Sequence, residues 1–113
     1  MVYEQYLDCL EACNHCAQAC DSCATECLRE KNVHDLVRCI ELDRACAQAC
    51  RAAAGFMALG SDWASRYCAL CAEICHTCGE ECGKHEHMKY CKECARMCFA
   101  CAEKCREMSG AHV

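Results

Sequence analysis

The chain has 113 residues and a formal net charge of −5. This length suits one compact domain, so we expect residues 1–113 to fold as a unit. The acidic balance argues against nucleic acid or an anionic membrane surface as a partner. The start of the chain has neither a basic segment nor a long apolar run, and no stretch reaches the ~20 apolar residues of a membrane span. These features predict a soluble, cytoplasmic protein.

The composition is dominated by small residues, with 19 cysteines and no proline, while Leu, Ile, Val and Phe are scarce. A protonated cysteine behaves as a small hydrophobic residue, so thiols and alanine must supply the core. The absence of proline favours long, uninterrupted helices.

The first predicted helix, at about residues 3–29, carries cysteines spaced alternately by four and three residues. This is the rhythm of the a and d positions of a packed helix, and it places every thiol on one face. The six cysteines concerned are Cys9, Cys13, Cys16, Cys20, Cys23 and Cys27.

Three further helices are predicted, at about residues 33–57, 62–82 and 86–108, and each repeats the stripe. Their cysteines are Cys39, Cys46 and Cys50, then Cys68, Cys71, Cys75, Cys78 and Cys82, then Cys91, Cys94, Cys98, Cys101 and Cys105. Short connections between long helices favour antiparallel neighbours. The sequence therefore predicts an all-α fold, an antiparallel up-down-up-down four-helix bundle with a cysteine-lined core.

The second helix departs from the pattern because its stripe contains Asp43. Two interpretations remain open. A small rotation of the helix would leave Asp43 at the rim, paired with Arg44 or Arg51. Alternatively, Asp43 is a buried carboxylate that binds or positions something in the core.

A disulfide framework does not explain the cysteines, because their number is odd and because such frameworks usually cross-link loop-rich folds rather than uninterrupted helices. Ordinary core packing explains one or two cysteines per helix, not 19 in a heptad register. Metal binding remains. Zinc with four thiolates would leave a charge of about −2 per site in the core, which burial opposes. Soft sulfur ligands select Cu(I), and the single positive charge of each Cu(I) ion balances the negative charge of one thiolate.

Two thiolates at positions i and i+4 can bridge Cu(I) within one helix, and facing helices offer third ligands. We therefore predict storage of many Cu(I) ions, roughly one per cysteine, with one proton released per thiol used. The alternatives are a zinc-buffering protein or an iron–sulfur or redox cysteine protein. No nucleophile–base pair, phosphate loop or organic-cofactor motif is visible, so we expect no enzyme activity.

The sequence resembles the bacterial copper storage proteins, specifically their cytosolic type. The resemblance covers essentially the whole chain and is carried by the CxxxC repeats of the first helix, the segments 39–46 and 78–85, and the cysteine series 91–105. It implies a four-helix bundle, usually a homotetramer, whose lumen binds a large load of Cu(I). Copper chaperones or efflux machinery are the partners expected for such a protein.

The topology should gather different side chains at the two ends of the bundle. Imidazole and thioether ligands that can capture Cu(I) fall at one end, which we predict to be the uptake end. They are His34, His85, His87 and Met88, with Asp43 nearby as an accessory ligand. For the three histidines, a solvated position without a metal role is the alternative. The other end should be plugged by Tyr3, Tyr6, Met57, Trp63, Tyr67 and Met108.

Overall fold

The computed structural model describes residues 2–110, and the side chains of residues 4–109. Four α-helices account for most of this part of the chain, with no strand in it. A short 3₁₀ turn, Val2–Tyr6, leads into α1 (Leu7–Leu28), and a second, Val33–Leu36, leads into α2 (Val37–Ala58). The remaining helices are α3 (Ala64–Gly83) and α4 (Lys89–Gly110).

The connection between α2 and α3 is set by local chemistry. Gly60 adopts a left-handed conformation with φ 63°, which a glycine reaches without steric cost. The amides of Gly60 and Ser61 then donate to the carbonyls of Met57 and Phe56, at 3.0 and 3.1 Å, as in a Schellman motif. The hydroxyl of Ser61 accepts a hydrogen bond from the amide of Trp63 at 3.1 Å. Helix α3 therefore begins at Ala64, two residues later than expected.

The last helix begins at Lys89, three residues after its predicted start. Turn hydrogen bonds occupy the intervening segment, from the amide of His85 to the carbonyl of Cys82 and from the amide of Met88 to the carbonyl of His85, both 3.0 Å. The predicted uptake residues of this segment thus lie on a tight turn rather than on a helix.

The helices form a ring in which α1 packs against α2, α2 against α3, α3 against α4 and α4 against α1. The described part of the bundle measures 47 × 20 × 18 Å. Its core is built from cysteine and alanine, closed by the fully buried Leu36 near one end and Met57 near the other. In residues 2–110, no helix combines the length and the apolar character needed to cross a bilayer.

Candidate metal centre

All 19 cysteines point into the bundle, and each is buried and free of a disulfide. Alanines on the same helix faces, such as Ala17, Ala47 and Ala72, are buried between them. Because these neighbours are small, the helices approach closely enough for thiols of different helices to touch. The sulfur atoms in contact are separated by 3.4 to 4.0 Å. The lumen is therefore a continuous column of thiols.

The contacts between α1 and α4 follow one rule. The sulfur of Cys105 lies between those of Cys9 and Cys13, 3.6 Å from each. The same arrangement occurs twice more along these helices, with Cys98 between Cys16 and Cys20 at 3.8 and 3.7 Å, and Cys91 between Cys23 and Cys27 at 3.7 and 3.8 Å. Each CxxxC pair of α1 thus receives a third thiol from α4, as a knob enters a hole between two turns.

Helices α2 and α3 repeat this geometry. The sulfur of Cys75 lies 3.4 Å from Cys46 and 3.6 Å from Cys50. Within α3 itself, the sulfurs of Cys71 and Cys75 are 3.7 Å apart. Thiols one helical turn apart are therefore neighbours, and a thiol from a facing helix lies beside the Cys46–Cys50 pair, both as predicted.

These spacings suit a two- or three-coordinate soft ion. With metal–sulfur bonds of ~2.3 Å, a trigonal site separates its sulfurs by about 4.0 Å and a linear site by about 4.6 Å. Several groups of four ligand atoms lie within 4.8 Å of one another. Among them are Cys13–Cys71–Cys101–Cys105, Cys16–Cys46–Cys50–Cys75, Cys16–Cys20–Cys46–Cys98, Cys20–Cys78–Cys94–Cys98 and Cys23–Cys27–Cys39–Cys91. Shared members such as Cys16 make these groups overlap, so the site is one array rather than separate centres.

Asp43 lies inside this array, with none of its surface exposed. Its Oδ1 atom accepts hydrogen bonds from Cys78, Cys82 and Cys94 at 3.3, 3.4 and 3.4 Å. Cys82 also lies 3.5 Å from Cys39, so Cys39, Asp43 and Cys82 form a group like those above, with an oxygen in place of one sulfur. The rim position considered for Asp43 is therefore wrong.

The arginines considered as its partners lie elsewhere. Arg44 is exposed, and Arg51 forms an ion pair with Asp21 on the surface between α1 and α2. Asp43 consequently faces thiols rather than a cation. Burial, together with the neighbouring Cys94, Cys78 and Cys39, raises the pKa of Asp43 to about 11. The carboxyl group therefore carries its proton at neutral pH.

The thiol of Cys27, near the end of the column, is also held in the neutral form. Burial is the main cause that raises the pKa of Cys27 to about 11, and nearby Cys39 adds to it. An anion in this low-dielectric interior lacks a compensating charge. A bound cation would supply that charge, so metal binding and loss of the thiol proton are coupled at this position.

The predicted uptake residues differ in their exposure and in their distance from the thiol column. His85 is 16% exposed and its Nε2 lies 3.1 Å from the carboxylate of Glu81. His87 is exposed, with its ring centroid 6.4 Å from that of His85. Met88 is half-buried against the thiol core. His34 is exposed on the 3₁₀ turn that leads into α2. His85, His87 and Met88 thus form one turn beside the thiol column, a position that the sequence order alone suggested.

At the opposite end the expected plug is smaller than predicted. Tyr6 and Met57 are buried, and Met108 is partly buried against the core. Trp63 and Tyr67 are exposed, and the ring of Tyr67 stacks on that of Phe56 with centroids 4.2 Å apart. The side chain of Tyr3, also assigned to this plug, lies outside the described residues.

Sequence reasoning missed Tyr90, which follows the predicted uptake turn. Its hydroxyl donates a hydrogen bond to the sulfur of Met88 at 3.1 Å. The available signal was its position, one residue before the stripe cysteine Cys91 and two residues after a candidate ligand.

A four-helix bundle filled with overlapping thiol groups, and containing one neutral carboxyl, defines a class of protein that holds several soft metal ions. The sequence matches the copper storage protein family over residues 2–110. The chain therefore belongs to the copper storage protein family.

This chain is similar to relatives of known sequence or known structure. The cysteine-rich protein YhjQ of Bacillus subtilis strain 168 is 50% identical over 84 residues, which are 74% of this chain and 71% of YhjQ. The Cu(I)-bound copper storage protein BsCsp3 superimposes with a TM-score of 0.87 at 48% identity, covering 95% of this chain and 98% of the other. A cytosolic copper storage protein from Streptomyces lividans with five coppers gives a TM-score of 0.91 at 36% identity, covering 96% and 95%.

Proposed function

We propose that this chain stores Cu(I), binding many ions along the lumen at roughly one per thiolate. The observation that carries the proposal is the completion of CxxxC pairs by a third thiol, as in Cys9, Cys13 and Cys105, with sulfurs 3.6 Å apart. Such groups match the two or three sulfur ligands that Cu(I) takes. The Cu(I)-bound structure of the related BsCsp3 supports the choice of ion.

Charge favours the same ion. Each Cu(I) that replaces a thiol proton leaves the lumen neutral, whereas each zinc ion with four thiolates would add about −2. In the described core, no cationic side chain is buried beside the 19 thiols. The acidic side chain buried among them is Asp43, whose carboxyl stays protonated. We therefore propose the 19 cysteines as ligands, with Asp43 as an accessory oxygen ligand.

Uptake is proposed at the end that carries the turn of His85, His87 and Met88. The thioether and the partly buried imidazole lie beside the thiol column, where they can pass an ion inward. His34 is a further accessory ligand of this end. The exchange partners would be copper chaperones or efflux machinery.

The chain is further proposed to act in the cytoplasm as a homotetramer, without catalytic activity. The description of the Streptomyces lividans relative as cytosolic supports the location. The tetramer rests on the family resemblance, and the lack of activity on the absence of a nucleophile–base pair in the sequence motifs.

The decisive experiment titrates reduced protein with Cu(I) under anaerobic conditions, in the presence of a chromophoric Cu(I) chelator. The expected result is saturation near 19 equivalents per chain, one for each cysteine. A parallel titration with Zn(II) should saturate at far fewer equivalents. Saturation with only a few equivalents of Cu(I) would refute the storage function.

A further inference from the structure

The uptake turn contains a hydrogen bond that engages a candidate copper ligand. The hydroxyl of Tyr90 donates to the Sδ atom of Met88, with 3.1 Å between oxygen and sulfur. Both side chains are half-buried and pack against the thiol core. A thioether sulfur is the only group through which methionine can bind Cu(I), and it is a weak hydrogen-bond acceptor. The phenol and an incoming ion therefore compete for the same atom.

A second acceptor lies beside the same hydroxyl. The carboxylate of Glu30, just beyond the end of α1, is close enough to interact with it, as is the thiol of Cys27. A carboxylate is a stronger acceptor than a thioether. If the hydroxyl turns from Met88 to Glu30, the thioether is released and no buried donor loses its partner.

We propose that Tyr90 is a latch on Met88, holding the thioether in the resting protein and releasing it to capture Cu(I) when the hydroxyl turns to Glu30. Tyr90 is a positioning residue in this scheme, because the ion binds the sulfur and not the phenol. No proton is transferred, because the O–H group only exchanges one hydrogen-bond acceptor for another. The inference rests on the proposed uptake at this end of the bundle.

The position of Met88 explains why such a latch is useful. The carbonyl of Met88 accepts hydrogen bonds from the amides of Cys91 and Lys92 at 3.0 and 3.1 Å, so its backbone is part of the first turn of α4. Only the side chain is free to move. A captured ion therefore remains within one helical turn of Cys91, whose sulfur is in contact with Cys23 and Cys27.

The test compares the initial rate of Cu(I) transfer from a chromophoric chelator complex to reduced protein, by anaerobic stopped-flow absorbance. The variants are Tyr90→Phe, Met88→Leu and the double variant, with Tyr67→Phe as the matched control because Tyr67 lies at the opposite end. Tyr90→Phe should raise the rate about fivefold, the factor that corresponds to a hydrogen bond of about 1 kcal/mol. Met88→Leu should lower the rate, and the double variant should match Met88→Leu.

The proposal is overturned if Tyr90→Phe transfers copper at the wild-type rate, or if it accelerates transfer equally in the presence and absence of Met88. A second measurement uses methyl-¹³C methionine in the wild-type protein, with the half-buried Met97 on α4 as reference. Substoichiometric Cu(I) should shift the Met88 methyl signal more than that of Met97, and equal shifts overturn the proposal. The final stoichiometry in the same samples separates the two claims, since a low wild-type capacity would refute storage itself.

Discussion

Asp43→Asn tests whether a neutral carboxyl is built into the thiol column. The side chain has no exposed surface, and three thiols contact its Oδ1 atom. Asparagine keeps the shape and the hydrogen-bonding capacity but cannot ionise. The variant therefore removes one titratable group from the core while leaving the packing of the apo bundle nearly unchanged.

The magnitude follows from the pKa of Asp43, which is about 11 in the folded protein and ordinarily 3.8. Between these values the folded state keeps a proton that the unfolded state loses, so the free energy of unfolding falls as the pH rises. The slope for one proton is about −1.4 kcal/mol per pH unit. From pH 5 to 7.5 this amounts to about 3.5 kcal/mol, a large part of the 5–15 kcal/mol typical of a domain.

Urea unfolding of the reduced, metal-free protein, followed by far-UV circular dichroism, measures this slope. The range from pH 5 to 7.5 stays below the usual thiol pKa of ~8.5, and the remaining cysteine ionisation in the unfolded chain is the same in both proteins, so it cancels when their slopes are compared. The wild-type protein should lose stability across this range, and Asp43→Asn should remove about 1.4 kcal/mol per pH unit of that loss.

Glu41→Gln is the matched control, because Glu41 lies on the same helix with an exposed side chain. It should leave the slope as it is in the wild-type protein. Equal slopes for Asp43→Asn and the wild-type protein would refute the burial argument, since they would mean that Asp43 ionises equally in the folded and unfolded states.

Four further predictions concern copper and stability. Replacing the three α4 cysteines that complete the α1 pairs with alanine should lower the Cu(I) capacity by at least three equivalents, because one thiolate is lost per ion; an unchanged capacity in the chelator titration would contradict this. His85→Ala with His87→Ala should slow uptake in stopped-flow measurements while leaving capacity nearly constant, and an unaltered rate would remove these histidines from the uptake route. Because each Cu(I) displaces about one thiol proton, the apparent affinity per ion should rise about tenfold per pH unit between pH 5.5 and 7.5; a pH-independent competition titration would exclude that exchange. Gly55→Ala should stabilise the apo protein by about 0.5–1 kcal/mol, since open space surrounds the added methyl. Gly60→Ala should instead destabilise the protein, because φ is 63° at that residue. Urea midpoints that shift in the same direction for both variants would argue against this explanation.

The helices and their inward faces were predictable because the heptad spacing is a local property. A residue such as Cys13 shares a face with Cys9 and Cys16 in any regular helix, whatever lies opposite. The pairing between helices was not predictable in this way. That Cys105 lies between Cys9 and Cys13 depends on the relative register of α1 and α4, which is set by the connections and by the packing of all four helices.

The candidate uptake residues show the same division. Composition and order placed His85, His87 and Met88 near one end, but their exposure differs because residues 84–88 form a turn whose backbone hydrogen bonds direct each side chain separately. The bond between Tyr90 and Met88 also arises from this turn. At the other end, Trp63 and Tyr67 are exposed rather than part of the plug, and Tyr67 stacks on Phe56 instead.

By itself the sequence determined that this chain forms cysteine-faced helices and that a monovalent soft ion suits them, because spacing and charge balance are counted along the chain. Only the tertiary structure decided that Asp43 is buried among thiols rather than paired with an arginine at the rim. The cysteine spacing defines the inward face of α2 only to within about one residue. A small rotation of this helix would therefore move Asp43 from the core to the rim. The packing of α2 against α1 and α3 sets that rotation, and with it the position of the Asp43 carboxyl within the column of sulfur.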